Sequence, residues 1–224
     1  TKTTHARSTG VPARTAASVN PGPRECVGAG GRVISCEGGG GRVTDETTLG
    51  SGFEADVVRA WEAARDPARE AGIRVVDFRQ GMVIGTEGGA LARMLPFFKL
   101  GVGGRVGNGK QWWSWVAVDD VAAAYGFVLD SDLAGVVNLC SPNPVTCTQF
   151  TDALGRAVHR PTVFPAPAFA IRALYGEMGD NVLLRGRRAL PARLLDAGFT
   201  FEHPTFGGAV RELLDLEAPP ANAA

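Results

Sequence analysis

The sequence predicts an α/β protein built on a mainly parallel sheet. Three observations carry this. Some stretches repeat apolar residues at helical spacing and others run through β-branched residues; the two kinds alternate; Gly or Pro closes most of them. Strands alternating with helices require crossover connections, and these place neighbouring strands parallel.

The first 52 residues stand apart. They contain no Phe, Trp or Tyr, and ten of the thirty glycines fall among residues 1–50. Pro21-Gly22-Pro23 and Gly38–Gly41 break any regular pattern. Little apolar surface is available there to offset the entropy of ordering, so residues 1–52 read as a degenerate or poorly ordered segment, with at most a weak strand around Arg24–Ala29. From Phe53 the texture changes. Phe53, Val57, Ala60, Trp61 and Ala64 recur at helical spacing, and Gly72 ends that helix. Ile73–Arg79 reads as a strand, and Gly88–Leu100 as a helix with Leu91, Met94, Leu95 and Phe98 inward despite Pro96. Trp113–Val118 is a strand, Asp119–Leu129 a helix, Gly135–Leu139 a strand and Thr146–Val158 a helix. After Pro161 the elements shorten: a helix entered through Pro165 and Pro167, a short one within Leu190–Phe199 stopped by Gly198, and a last one through Leu214. Pro219–Ala224 reads as a frayed tail. The division is therefore 1–52, 53–160 and a small C-terminal unit at 161–216.

Composition excludes several classes of function. The chain has 224 residues, and its 23 Lys plus Arg balance 23 Asp plus Glu, so neither nucleic acid nor an acidic membrane is favoured as partner. No apolar run approaches the ~20 residues of a membrane span, and no signal peptide is readable. Starting at Thr1 rather than Met, the text reads as a fragment or processed product. Cys26, Cys36, Cys140 and Cys147 form no C-x-x-C pair, and His5, His159 and His203 are equally dispersed. No metal site is expected, and free thiols fit a reducing cytoplasm.

Several motifs invite chemistry. Gly28-Ala-Gly-Gly-Arg-Val33 lacks the third glycine of a dinucleotide fingerprint and no helix opens behind it. Gly104–Gln111 imitates a phosphate loop but ends in Gln111 where Ser or Thr is needed, and runs into a strand. Asp119 and Asp120 diverge by about 100° on a helix, so they suit an N-cap and a first-turn charge better than a catalytic pair. Trp112, Trp113 and Trp115 concentrate aromatic surface at one strand start, with Trp113 and Trp115 on one face; they line a substrate cleft or pack the core. Arg185, Arg187 and Arg188 form a basic cluster, read as a solvated face or a phosphate contact.

Taken in order, several blocks resemble one family. They are Arg42–Glu46, Gly52–Glu62, Gly72–Gly85, Gly88–Pro96, the block from Gly107 to Val121, Val137–Thr146, Pro167–Met178 and Leu190–Phe199. The chain resembles the epimerase-like branch of the extended short-chain dehydrogenases/reductases that ends in a small domain of unknown function. The resemblance implies the latter part of a Rossmann-type doubly wound parallel sheet, NADP or NAD as cofactor in intact relatives, and an unknown small-molecule substrate. It places Gln80, Gly81 and Val83, following Arg79, beside the nicotinamide through backbone contacts. An arginine stands near position 113 in sugar-nucleotide epimerases, and a tryptophan there implies stacking and an apolar or aromatic substrate instead.

The departures are informative. The pyrophosphate turn of the family's first strand has no counterpart here. Gly28 and Gly30 stand where the family has serines, and Ile34 and Ser35 replace an aromatic pair. Glu54 and Val58 fall near the positions of the usual Tyr and Lys. No residue is assigned as catalytic, and cofactor binding by this chain is in doubt. Two readings stand: an NAD(P)-dependent epimerase/dehydratase-like oxidoreductase, truncated or inactive in this form, or a non-catalytic binding or scaffold protein derived from that fold.

Overall fold

The computed structural model describes residues 25–32, 42–47, 49–51, 53–169, 183–184 and 186–214. In chain order the elements are β1 (Glu25–Arg32), β2 (Arg42–Val43), α1 (Phe53–Ala63), α2 (Asp66–Glu70), β3 (Arg74–Gln80), β4 (Met82–Ile84) and α3 (Gly89–Lys99). Then follow β5 (Trp112–Trp113), β6 (Trp115–Ala117), α4 (Val118–Leu129), β7 (Gly135–Leu139), β8 (Val145–Thr146), α5 (Cys147–Ala157), β9 (Arg188–Ala189), α6 (Ala192–Asp196) and α7 (Phe206–Leu213). The expected helix beyond Phe169, Arg185 and the tail after Leu214 lie outside the described residues.

The fold is α/β as the periodicity predicts. Three strands form a parallel sheet in the order β1–β3–β7. Gln80 ends β3 opposite Leu139 of β7, so the two strands finish at one edge. β4 pairs in parallel with β6, β2 with β9, and β5 runs antiparallel to β8. Glu25–Arg32, inside the stretch expected to be loop or disorder, pairs with β3 along its length. The register slips between Ala29 and Gly31. The weak strand read around Arg24–Ala29 is thus longer and paired, because its stabilisation comes from the ladder to β3 rather than from its own composition.

Two apolar clusters support the layers. One unites Leu91 and Phe98 of α3 with Trp113, Trp115, Phe150, Leu154, Phe206 and Val210. The other packs Val76 and Phe78 of β3 and Val137 and Leu139 of β7 against α4, Leu194, Phe199 and Phe201. The inner face of α1 differs from the one expected: Phe53 and Trp61 are exposed, while Ala55 and Val58 are buried. The helix turns that way because Glu62 must reach Arg79 on β3. Gly72, at φ 74°, adopts the left-handed conformation that stops α2 and starts β3. Thr146 and Gln149 form a reciprocal capping box at the start of α5.

Candidate functional site at the sheet edge

The edge is organised by a change of partner at Gly81. Up to Gln80 the strand belongs to β7, and the Gly81 N–H still donates to the Leu139 carbonyl (2.9 Å). One residue later the Met82 N–H donates to the Ser114 carbonyl (2.8 Å), and β4 continues beside β6. A Cβ at Gly81 would lie 2.9 Å from the Ser114 oxygen and 3.2 Å from Cys140 Cβ, so only glycine fits between the two neighbours. Gln80, Gly81 and Val83 thus come together at the C-terminal end of the sheet, the edge where α/β folds place ligands.

Arg79 is used differently. Its Nε and one terminal nitrogen grip both oxygens of Glu62 (2.8 and 3.1 Å), and the other terminal nitrogen donates to the Thr47 carbonyl (2.8 Å). The guanidinium holds α1 and the 42–47 segment onto β3 and does not reach outward.

Ser114 interrupts the strand expected over Trp113–Val118. Its hydroxyl donates to the Arg187 carbonyl and accepts from the Ala189 N–H, both at 2.8 Å, so it fastens β9 to the gap between β5 and β6. Trp113 and Trp115 do share a face, but that face is the core. Trp113 meets Phe150 edge to face at 4.9 Å, and Trp115, fully buried, meets Phe206 at 5.3 Å while its indole N–H donates to the Asn143 carbonyl (3.0 Å). Of the two roles weighed for these tryptophans, their burial and ring contacts are those of core packing. Trp112 alone turns to the other side. The Arg188 guanidinium lies over its ring, 4.5 Å from the centroid. Both line a groove of about 350 Å³ together with Asn143, Gln149, Arg156 and Thr205.

Of the two aspartates, Asp120 stands in the first turn of α4 as expected, whereas Asp119 does not cap it: α4 begins at Val118 with no side-chain cap. Asp120 is buried and accepts the N–H groups of Glu202 (2.7 Å) and His203 (3.2 Å), tying the approach to α7 onto α4. His203 is itself buried, with Nδ1 3.3 Å from a Glu212 oxygen and Nε2 3.8 Å from an Asp119 oxygen. Glu202, His203 and Glu212 bring ligand-type atoms within 4.8 Å of one another, a grouping that spacing alone did not show. The carboxylates are exposed and flank a histidine that already serves as a tie.

A third acid, Asp45, accepts the Asn138 and Arg193 N–H groups, and its carboxyl is raised above the ordinary aspartate range because burial outweighs those bonds. Cys140 and Cys147 are buried free thiols. Burial pushes both up, and the Asp45 charge adds to the effect at Cys140. The imitation phosphate loop enters β5, not a helix, as expected; Gln111 instead bridges the Val106 and Leu183 carbonyls, both at 2.9 Å.

Parallel strands joined by crossover helices make this a Rossmann-type α/β fold. Residues 166–213 match the model of a domain of unknown function, DUF1731. An epimerase family protein of Mycobacterium leprae is 47% identical over 171 residues, covering 75% of this chain and 56% of that protein. The human epimerase family protein SDR39U1 is 34% identical over 175 residues, covering 76% and 59% respectively. The crystal structure of human SDR39U1 (isoform 2) with NADPH superposes at a TM-score of 0.80, with 28% identity, over 88% of this chain and 68% of that one. Over the matched span, this chain is similar to proteins of the epimerase family, and its residues 166–213 match that domain. The chain spans little more than half the length of the two relatives.

Proposed function

We propose that this chain carries the nicotinamide-facing part of an NAD(P)-dependent, epimerase-like oxidoreductase acting on a small molecule. The observation that carries the reading is the partner change at Gly81, which brings the backbone of Gln80, Gly81 and Val83 to the C-terminal sheet edge. The related human protein was crystallised with NADPH, which supports the same cofactor here. When bound, the nicotinamide supplies hydride transfer. The chain's share is orientation: Gln80, Gly81 and Val83 would hold the carboxamide through the backbone, with Arg79 a positioning residue through Glu62. The buried free thiols Cys140 and Cys147 fit a reducing, cytoplasmic setting. Among the described residues no helix is long and apolar enough to cross a membrane.

Saturation-transfer NMR with NADPH tests this, because it detects weak binding. Nicotinamide ring protons should receive more saturation than adenine protons. Gly81→Val, which forces a side chain against Ser114, should abolish the nicotinamide signal. Saturation confined to the adenine, or a signal that survives in folded Gly81→Val, would overturn the reading. A second reading, a binding protein without redox chemistry, is favoured by Glu54 and Val58 at the positions of the family's Tyr and Lys. Cofactor binding without turnover of any carbonyl or alcohol substrate would support it.

A further inference from the structure

The groove beside Trp112 collects positive charge without any carboxylate to balance it. Its lining includes Arg156 and Arg188, the neutral polar residues Asn143, Gln149 and Thr205, and no Asp or Glu. Neither arginine forms a salt bridge among the described residues. Arg188 is held by its stack on Trp112, and its Nε is buried with no hydrogen-bond partner among the described residues. The stack on Trp112 thus carries a cation with no acid beside it in the groove lining.

A second source of donors lies at the start of α7. α7 starts at Phe206, and Thr205 before it makes no side-chain cap. The first N–H groups of a helix have no partner inside it, and the helix dipole favours negative charge there. Phe206 and Gly207 both line the groove, and open space surrounds the place where a Gly207 side chain would stand. Two arginines, an uncapped helix start and Thr205 therefore line one groove. Such an arrangement suits a tetrahedral group with several acceptor oxygens better than a planar carboxylate.

We propose that this groove is a binding site for the phosphate group of a small molecule, with Arg188 and Arg156 as its charged ligands. The site goes beyond the cofactor reading, since none of Gln80, Gly81 and Val83 lines it. The test is a calorimetric titration of the whole chain with inorganic phosphate, against chloride and acetate at matched ionic strength and with no dinucleotide present. Saturable phosphate binding is expected, weakened at least about tenfold by Arg188→Gln and severalfold by the exposed Arg156→Gln. Arg188→Lys, which keeps the charge but loses the planar fork, should also bind more weakly while the melting temperature holds. If Arg188→Gln fails to fold, Arg156→Gln decides alone. Phosphate no better than chloride, acetate as good as phosphate, or full affinity in the folded variants would each overturn the proposal. Competition by NADP but not NAD would assign the phosphate to the cofactor; no competition by either assigns it to a separate molecule. A failed phosphate titration leaves the nicotinamide experiment untouched, so the two readings fall separately.

Discussion

On one side of β3, Val76 and Phe78 pack among aliphatic and aromatic neighbours from β7, α4 and the C-terminal segment. On the other side, Asp77 and Arg79 are equally buried, but their neighbours are Glu62, Arg65 and Arg69 of the α1–α2 region. Arg65 lies 2.6 Å from Asp77, Arg69 pairs with its other oxygen, and Arg79 faces Glu62. Both sides exclude water, yet only the first gains from doing so through the hydrophobic effect. The second offsets desolvation with directional ion pairs, which contribute little net stability but fix which residues of α1 and α2 sit over which residues of β3. Phe53 and Trp61 are left exposed as a result, because the ion pairs rather than apolar area set the helix rotation.

Substitutions should separate the two sides. Phe78→Ala removes a fully buried ring that lies 4.9 Å from Tyr125, and should lower unfolding free energy by about 3–5 kcal/mol in urea denaturation. Asp77→Ala strands two arginines that keep 17% and 35% exposure. Partial solvation places its expected cost below that of Phe78→Ala, at about 2–3 kcal/mol. A cost equal to that of a surface charge, within about 0.5 kcal/mol, would mean that the charged side is effectively hydrated.

The smallest effect is in pH. Burial raises the Asp77 carboxyl above its ordinary value, more than Arg65 and Arg69 lower it. A carboxyl whose folded value lies above its unfolded one binds protons more readily when folded. Its contribution is thus fully present below the unfolded value near 3.8 and is lost as pH rises through the folded value. Wild type should therefore gain stability relative to Asp77→Asn as the pH is lowered through that window, measured by parallel urea titrations. A difference that stays flat or moves the other way would show that the arginines dominate.

Much of the frame was legible because periodicity is local. The strand ending at Gln80, α3 with Leu91 and Phe98 inward, and the helix after Thr146 all follow from spacing within a dozen residues. What escaped depends on distant partners. β1 exists through its ladder to β3, and the sequence by itself offered only a weak strand around Arg24–Ala29. Alternation correctly set Trp113 and Trp115 on one face, but not whether that face met solvent; Phe150 and Phe206 decide that from elsewhere in the chain. The first-turn place of Asp120 was legible, but its partners, 82 and 83 residues away, were not. Arg188 over Trp112 is likewise a pairing that no motif encodes. The family resemblance, resting on the order of many blocks, reached further than any single motif.

The C-terminal unit looks detachable by sequence, since residues 166–213 match a domain model of their own. Its attachments say otherwise. β9 completes a ladder with β2, the Leu190 N–H donates to the Val43 carbonyl (2.9 Å), and the Arg193 N–H rests on Asp45. Ser114 holds Arg187 and Ala189, and Asp120 holds Glu202 and His203. Excising the stretch at its homology boundary would leave ladder edges and buried acceptors open on both pieces. Heredity has parcelled this region as a block, whereas the forces that fold it treat it as stitching, threaded through residues that lie far upstream.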